Sequence, residues 1–285
     1  MAIFTNQATL SYNNNVRNSN IVTGELLEVL SANKTVTQDS YRPGETVNYV
    51  INIINTGTTD YNNLTVTDNL GEYATATGTA VPLDYETGTV RYFVNGTPQA
   101  VPTVTGTNPL TVTGINVPAG GNAAIVYTAR VNQFAPLTTD GTVNNTATVT
   151  GAGITEPITA SASVPVDNAP DLAIAKSVNP VSISGNGPLT YTFVISNSGN
   201  TEATAGDNLV VRDTFDPLLN ITDVSLDGTA LTEPADYTYD TATGEFVTTA
   251  GRITVPAATF TTDPATGETI TTNGTSTLTV TGTVV

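Results

Sequence analysis

Asn6-Gln7-Ala8-Thr9-Leu10-Ser11-Tyr12, a loop of Asn, Arg and Ser residues, then Ile21-Val22-Thr23-Gly24-Glu25-Leu26: the opening stretch reads as the closing hairpin of a β domain. The same pattern returns as Asn145-Thr146-Ala147-Thr148-Val149-Thr150, a loop, and Ala160-Ser161-Ala162-Ser163-Val164. A Leu-containing strand carrying a lysine follows each copy, at Leu30 to Val36 and at Leu172 to Val178. The second copy closes one repeat and leads into the next. The first has no repeat before it to close.

Outward from this stretch, apolar residues alternate with polar ones nearly everywhere, the period of half-buried strands. Val47, Tyr49, Ile51 and Ile53 share one face after the Arg42-Pro43-Gly44-Glu45 turn; Leu64, Val66, Asp68 and Leu70 share another; Ile125, Tyr127, Ala129 and Val131 a third. A second repeat retraces this order. Tyr191 to Gly199 matches Tyr49 to Gly57, Leu209 to Asp213 matches Leu64 to Asp68, Ile253 to Ala257 matches Ile115 to Ala119, and Leu278 to Val284 matches Ile125 to Val131. There the chain stops, so repeat two is expected to lack everything equivalent to residues 132–166. Short alternating strands punctuated by Pro and Gly belong in β-sandwiches. The expected fold is all-β: an N-terminal hairpin over 1–29 and two immunoglobulin-like sandwich domains in tandem, 30–168 and 169–285. The boundary falls near Asp167-Asn168-Ala169-Pro170.

Composition narrows the chemistry. The 285 residues hold 25 acidic against 8 basic side chains, a formal charge of −17, which argues against nucleic acid or an anionic membrane surface as partner. Cysteine and histidine are both absent. Disulfides, thiolate or imidazole metal sites, and Ser-His-Asp or Cys-His catalysis are therefore excluded. No Gly-rich phosphate loop or nucleophile elbow appears, and no cofactor is implied. The acidic loops at Asp60 to Asn63, Asp207-Asn208 and Asp263 to Glu268 could bind calcium, but none has EF-hand spacing, and acidic turn residues are usually just turns. No basic-then-apolar secretory signal opens the sequence, and no apolar run is long enough to span a membrane.

Leu-x-x-x-Lys-Ser/Thr-Val, the Pro-Gly-Glu-Thr-Val-Asn-Tyr turn and strand, Asn-Thr-Gly, Val-Thr-Asp and a closing Asn-x-Ala-Thr-Val together resemble the conserved-repeat family known as domain of unknown function eleven. The resemblance is clearest at 30–70, 111–150 and 172–215. It implies an immunoglobulin-like sandwich from a bacterial surface protein and no particular biochemical activity. The layout, down to the opening hairpin, also resembles the repeat-bearing subunits of clostridial spore appendages.

Only two lysines occur, Lys34 and Lys176, at equivalent places in the two repeats. Side chains at i and i+2 share a face of a strand, so each ammonium is expected to point inward with its apolar neighbours. The same parity turns Asp68 and Asp213 inward, and likewise Asn145 and Asn6. Unpaired buried charges cost several kcal/mol, so these groups need one another. A desolvated lysine becomes nucleophilic and a buried Asp can shuttle its proton. Lysine attack on the Asn carboxamide with loss of ammonia would give an isopeptide bond, a feature of Gram-positive pilin and adhesin domains that this architecture resembles. On this reading Lys34 joins Asn145 within the chain, with Asp68 as proton shuttle. Lys176 joins Asn6 of a neighbouring copy, with Asp213 in the same role. The alternative is an inward Lys–Asp ion pair with the Asn hydrogen-bonded beside it and no covalent chemistry.

The expected function is that of a structural, self-polymerising fibre subunit, extracellular on a cell or spore surface, whose only partner here is itself. An open sheet edge in repeat two would accept residues 1–29 of the next copy by β-augmentation. The rival is a monomeric surface module whose loops bind a glycan or host protein. Catalysis beyond a single autocatalytic cross-linking event is not expected.

Overall fold

A computed structural model describes residues 2–26, 28–75 and 78–285, and every ladder between its strands is antiparallel. The chain begins with β1 (Ala2–Asn6) and β2 (Thr9–Tyr12), which pair with β4 (Val22–Leu26) and β3 (Asn15–Asn18) respectively. Asn13 and Asn14 form the two-residue turn, with φ of 42° and 63°. That left-handed pair suits asparagine and matches strand twist in a tight hairpin. Ile3, Phe4, Leu10, Tyr12, Val16, Ile21 and Val22 are all exposed. A two-stranded hairpin with its apolar side chains in water is marginal on its own.

Repeat one is a complete sandwich. Its first sheet runs in the order Thr97–Pro98, Arg91–Val94, Asn122–Val131, β6 (Thr46–Asn55), β5 (Leu30–Val36). Its second runs Thr103–Thr107, Leu110–Val117, β7 (Tyr61–Asp68), Thr142–Thr150, Ile158–Pro165. Val47, Tyr49, Ile51 and Ile53 from the first sheet and Leu64, Val66, Val143, Ala147 and Val149 from the second fill one core. Tyr49 lies opposite Tyr127 in the register, their rings stacked at 5.5 Å. Burying one face of alternating strands is what fixes that register, because a one-residue slip would turn the apolar set to water.

Repeat two has a separate core built on Phe193, Ile195, Phe215, Phe246, Leu278 and Val280. Its first sheet runs Leu172–Asn179, Pro188–Asn197, Gly274–Val284, Leu219–Leu226, Thr229–Ala230. The facing sheet has three strands, Arg212–Thr214, Glu245–Thr248 and Tyr237–Tyr239. Among the described residues it holds no counterparts of Thr142–Thr150 and Ile158–Pro165.

The Asn-Thr-Gly and Asn-Ser-Gly motifs do the same work in both repeats. Asn55 is buried, its amide donating to Thr59 O and Pro118 O at 2.8 and 3.1 Å and its oxygen accepting from Gly57 N–H at 2.9 Å. Asn197 donates to Thr201 O at 2.7 Å and Pro256 O at 3.0 Å, and accepts from Gly199 N–H at 2.9 Å. The chain also enters both repeats alike: Thr56 N–H donates to Val29 O and Ser198 N–H to Asp171 O, each at 2.8 Å.

Local expectations need correction in several places. The run from Asn6 to Tyr12 is not one strand, since β1 ends at Asn6 and β2 starts at Thr9, and the middle of the expected loop after it is strand β3, Asn15–Asn18. β7 ends at Asp68, and Leu70 sits in a turn at φ 54°, still buried. The counterpart in repeat two becomes a strand only at Arg212, because a single 3-10 turn at Ala205–Asp207 and a left-handed Asn208 precede it. Val255 makes one isolated bridge, to Ala203, rather than a strand. Residues 259–272, which have no counterpart in repeat one, form a hairpin, Thr259–Thr262 with Thr269–Thr272. This hairpin reaches repeat one, where Thr269 donates its N–H to Gln133 O at 2.8 Å and its hydroxyl to Ala135 O at 3.0 Å.

Candidate cross-link sites

In repeat one the structure brings Lys34, Asp68 and Asn145 into one cluster. Lys34 stands on β5, opposite Ile51; Asp68 ends β7, opposite Ala147; Asn145 is on Thr142–Thr150, opposite Ala162. That strand is the next to last of the repeat, followed by Ile158–Pro165 as the second arm of the closing hairpin. Lys34 Nζ lies 2.7 Å from Asp68 Oδ2, and both side chains are sealed from solvent. Asp68 Oδ1 accepts the Leu70 N–H at 3.1 Å. The Lys34 ammonium also lies 4.7 Å from the Tyr49 ring centre and 5.9 Å from that of Tyr127, positions in which ring faces attract a cation.

Among the described hydrogen bonds none joins Asn145 to Asp68 directly. The Asn145 amide donates to the Tyr127 hydroxyl at 2.8 Å, and that hydroxyl donates to Asp68 Oδ2 at 2.7 Å. Parity found Lys34, Asp68 and Asn145, but it treated Tyr127 as core. The available signal was a phenol in phase with Ile125 and Ala129, since a buried hydroxyl requires a partner. Two polar atoms of the cluster, Asn145 Oδ1 and the Tyr49 hydroxyl, are buried without hydrogen bonds. Burial lowers the Lys34 pKa from 10.5 to about 8, against the pull of Asp68, so the amine gives up its proton far more readily than a solvated lysine. The arrangement brings together an amine of lowered proton affinity, a carboxylate to take its proton, and a carboxamide with an unpartnered oxygen in one buried cluster.

Repeat two holds half of this. Lys176 pairs with Asp213 and lies 4.6 Å from the Tyr191 ring centre, with Phe193 and Phe215 at 5.5 and 5.4 Å. Its side chain is 41% exposed, however, so the expected inward lysine is partly open to water. Leu172 is 39% and Ile174 58% exposed, whereas Leu30, equivalent to Leu172, is 8% exposed. The physical reason is the uncovered face: in repeat one this strand lies under the Thr142–Pro165 hairpin. No asparagine accompanies Lys176 among its described contacts. Asn6 closes β1, exposed and paired in register with Val22. The Asn145 strand shows the same relation, Asn145 facing Ala162 as Val143 faces Val164 and Phe4 faces Gly24.

The acidic loops are turns. Asp60 Oδ1 accepts Ala119 N–H at 2.8 Å, Asp207 Oδ2 accepts Thr204 N–H at 2.7 Å, and Asp263 Oδ1 accepts Ala265 N–H at 2.7 Å. Among the described residues, no three acidic side chains gather as metal ligands.

No family model matches the chain. No curated protein matches it either. Among solved structures, the chain is similar to a 35 kDa C-terminal fragment of the major pilin of Streptococcus agalactiae, at 12% identity and a TM-score of 0.36 over 87% of this chain and 91% of that one. It is similar to the pilus backbone of Streptococcus pneumoniae at 11% identity and a TM-score of 0.33, over 86% of this chain and 55% of that one. The collagen-binding domain of a Staphylococcus aureus adhesin matches at 11% identity and a TM-score of 0.31, over 48% of this chain and 99% of the domain. The assignment to sandwich domains rests on the sheets of the chain itself.

Proposed function

We propose that this chain is the structural subunit of a self-assembling bacterial surface or spore-appendage fibre, in which residues 1–29 of one copy complete repeat two of the next. One observation carries the reading. The Leu172–Asn179 strand presents Leu172, Ile174 and Lys176 to solvent where repeat one covers the equivalent face with a hairpin, and the chain owns a second hairpin of that sequence with its apolar side chains exposed. Burying Leu172, Ile174, Phe4 and Leu10 at about 25 cal/mol per Å2 gives the association its driving force. Donor and acceptor are different surfaces, so the contact is head-to-tail and builds an open filament.

The cross-links follow from the same placement. Lys34 would join Asn145 and lock repeat one, while Lys176 would join Asn6 of the neighbour and lock the filament. Asp68 and Asp213 would serve as proton carriers. Electron microscopy of the purified chain tests the assembly. Fibres that vanish on deletion of residues 1–25, with both repeats still folded and binding an added peptide of residues 4–29, are the expected result. Fibres from the truncated chain would overturn it. Compact single particles from the full chain would favour a monomeric binding module.

A further inference from the structure

We propose that Tyr127 is the proton relay of the Lys34–Asn145 reaction, and that repeat two works without one. This rests on the cross-linking reading above and adds a catalytic residue to it. The Tyr127 hydroxyl is the sole described bridge between the carboxylate and the carboxamide, 2.7 Å from Asp68 Oδ2 and 2.8 Å from Asn145 Nδ2. Tyr127, Asp68 and Asn145 are all fully buried, so bulk solvent does not reach the pair. The β6 register sets Tyr127 against Tyr49, and the matching register of repeat two sets Val280 against Tyr191. The position of the bridging hydroxyl is therefore an isopropyl group in repeat two.

The proton count closes as follows. Lys34 gives one proton to Asp68, and its neutral amine attacks Asn145 Cγ, forming a C–N bond and placing negative charge on Oδ1. A planar amide nitrogen accepts no hydrogen bond, but in the tetrahedral adduct Nδ2 gains a basic lone pair. Its bond to Tyr127 then reverses. The Tyr127 proton passes to Nδ2 as the Asp68 proton passes to Tyr127, and Asp68 next takes a second proton from the former lysine nitrogen. The Cγ–Nδ2 bond breaks, ammonia leaves, and a neutral amide remains beside a neutral Asp68. Burial, with the Asp68 carboxylate beside it, holds the Tyr127 pKa well above the ordinary phenol value, so the hydroxyl relays protons without resting as phenolate. In repeat two the absence of a hydroxyl at Val280 leaves Asp213 to meet the incoming Asn6 amide directly.

The test refolds unreacted chain from denaturant and follows the loss of ammonia by intact mass and peptide mapping. Tyr127→Phe should slow the Lys34–Asn145 bond by about a hundredfold or more, the usual worth of positioned acid–base help, and leave the Lys176–Asn6 bond at its wild-type rate. Near-ultraviolet circular dichroism confirms that the variant folds. Fluorotyrosines of stepped acidity at position 127 supply a readout that packing alone would not move: the rate should track phenol acidity. If wild type forms no Lys34–Asn145 bond, the cross-linking reading itself fails. If wild type forms it and folded Tyr127→Phe matches its rate, or the fluorotyrosine series is flat, the relay alone is overturned.

Discussion

Lys34 and Lys176 occupy the same register position in their sheets, Lys34 opposite Ile51 and Lys176 opposite Phe193, and each pairs with an aspartate of the facing sheet. One lysine side chain is sealed at 0% exposure and the other is 41% exposed. The difference lies in what covers them, a hairpin in the first case and none of the described residues in the second. The two sites should therefore respond differently to substitution.

Boiling in detergent separates the two bonds. Lys176→Ala or Asn6→Ala should convert a resistant ladder into monomers, even where filaments still form non-covalently. Asp213→Ala should do the same by removing the proton carrier. Lys34→Ala should leave the ladder intact. A ladder that survives Lys176→Ala, or wild-type assemblies that dissociate completely, would contradict the intermolecular link.

The buried ion pair can be weighed in an Asn145→Ala background, where no bond can form. Lys34→Ala there leaves Asp68 charged and enclosed, and should cost repeat one about 3–5 kcal/mol in urea denaturation. Removing Asp68 as well should recover part of that loss, because the stranded charge goes with it. A cost below about 1 kcal/mol would mean that water reaches the site.

The same background gives a pH signature. Lys34 titrates at about 8 when folded and near 10.5 when unfolded. Between those values the unfolded chain binds more protons, so the stability of repeat one should rise with pH across that window, by roughly 2–4 kcal/mol, and level off above it. Below pH 8 the full cost of burying the charged amine is present. Denaturation midpoints of Asn145→Ala and Asn145→Ala/Lys34→Met measured side by side check the assignment, since the second should lack the rise.

Ile174→Glu tests the docking face. The side chain is 58% exposed in the single subunit, so the substitution should shift its stability by less than about 0.5 kcal/mol. In the assembled state the same position would be covered, and a buried unpaired carboxylate should prevent fibres from forming. Normal fibres from Ile174→Glu would place the donor hairpin elsewhere.

Strand parity made much of this legible in the sequence. Inward Lys34, Asp68 and Asn145 could be read because side chains alternate strictly, and the sandwich architecture because the apolar faces alternate with them. Tyr127 was not legible as part of the cluster, since a tyrosine in an apolar phase looks like core until the distance to Asp68 is known. The exposure of Lys176 was not legible either, because parity reports a direction and not what lies beyond it. The hairpin at 259–272 fell outside the repeat pattern, so nothing in repeat one hinted at its shape or its reach.

That hairpin has a mechanical consequence. It braces repeat two against Gln133 and Ala135 of repeat one, in addition to the chain linker. The corresponding connection in repeat one, from Val117 to Asn122, is a tight turn with no such arm. In a filament joined through the N-terminal hairpin, each junction within a subunit would thus carry a strut that each junction between subunits lacks. Stiffness would alternate along the fibre, and curvature under load would concentrate once per subunit, at the joints sealed by Lys176 and Asn6. A covalent lock is most useful there, because a joint that flexes repeatedly is where a non-covalent plug would first work loose.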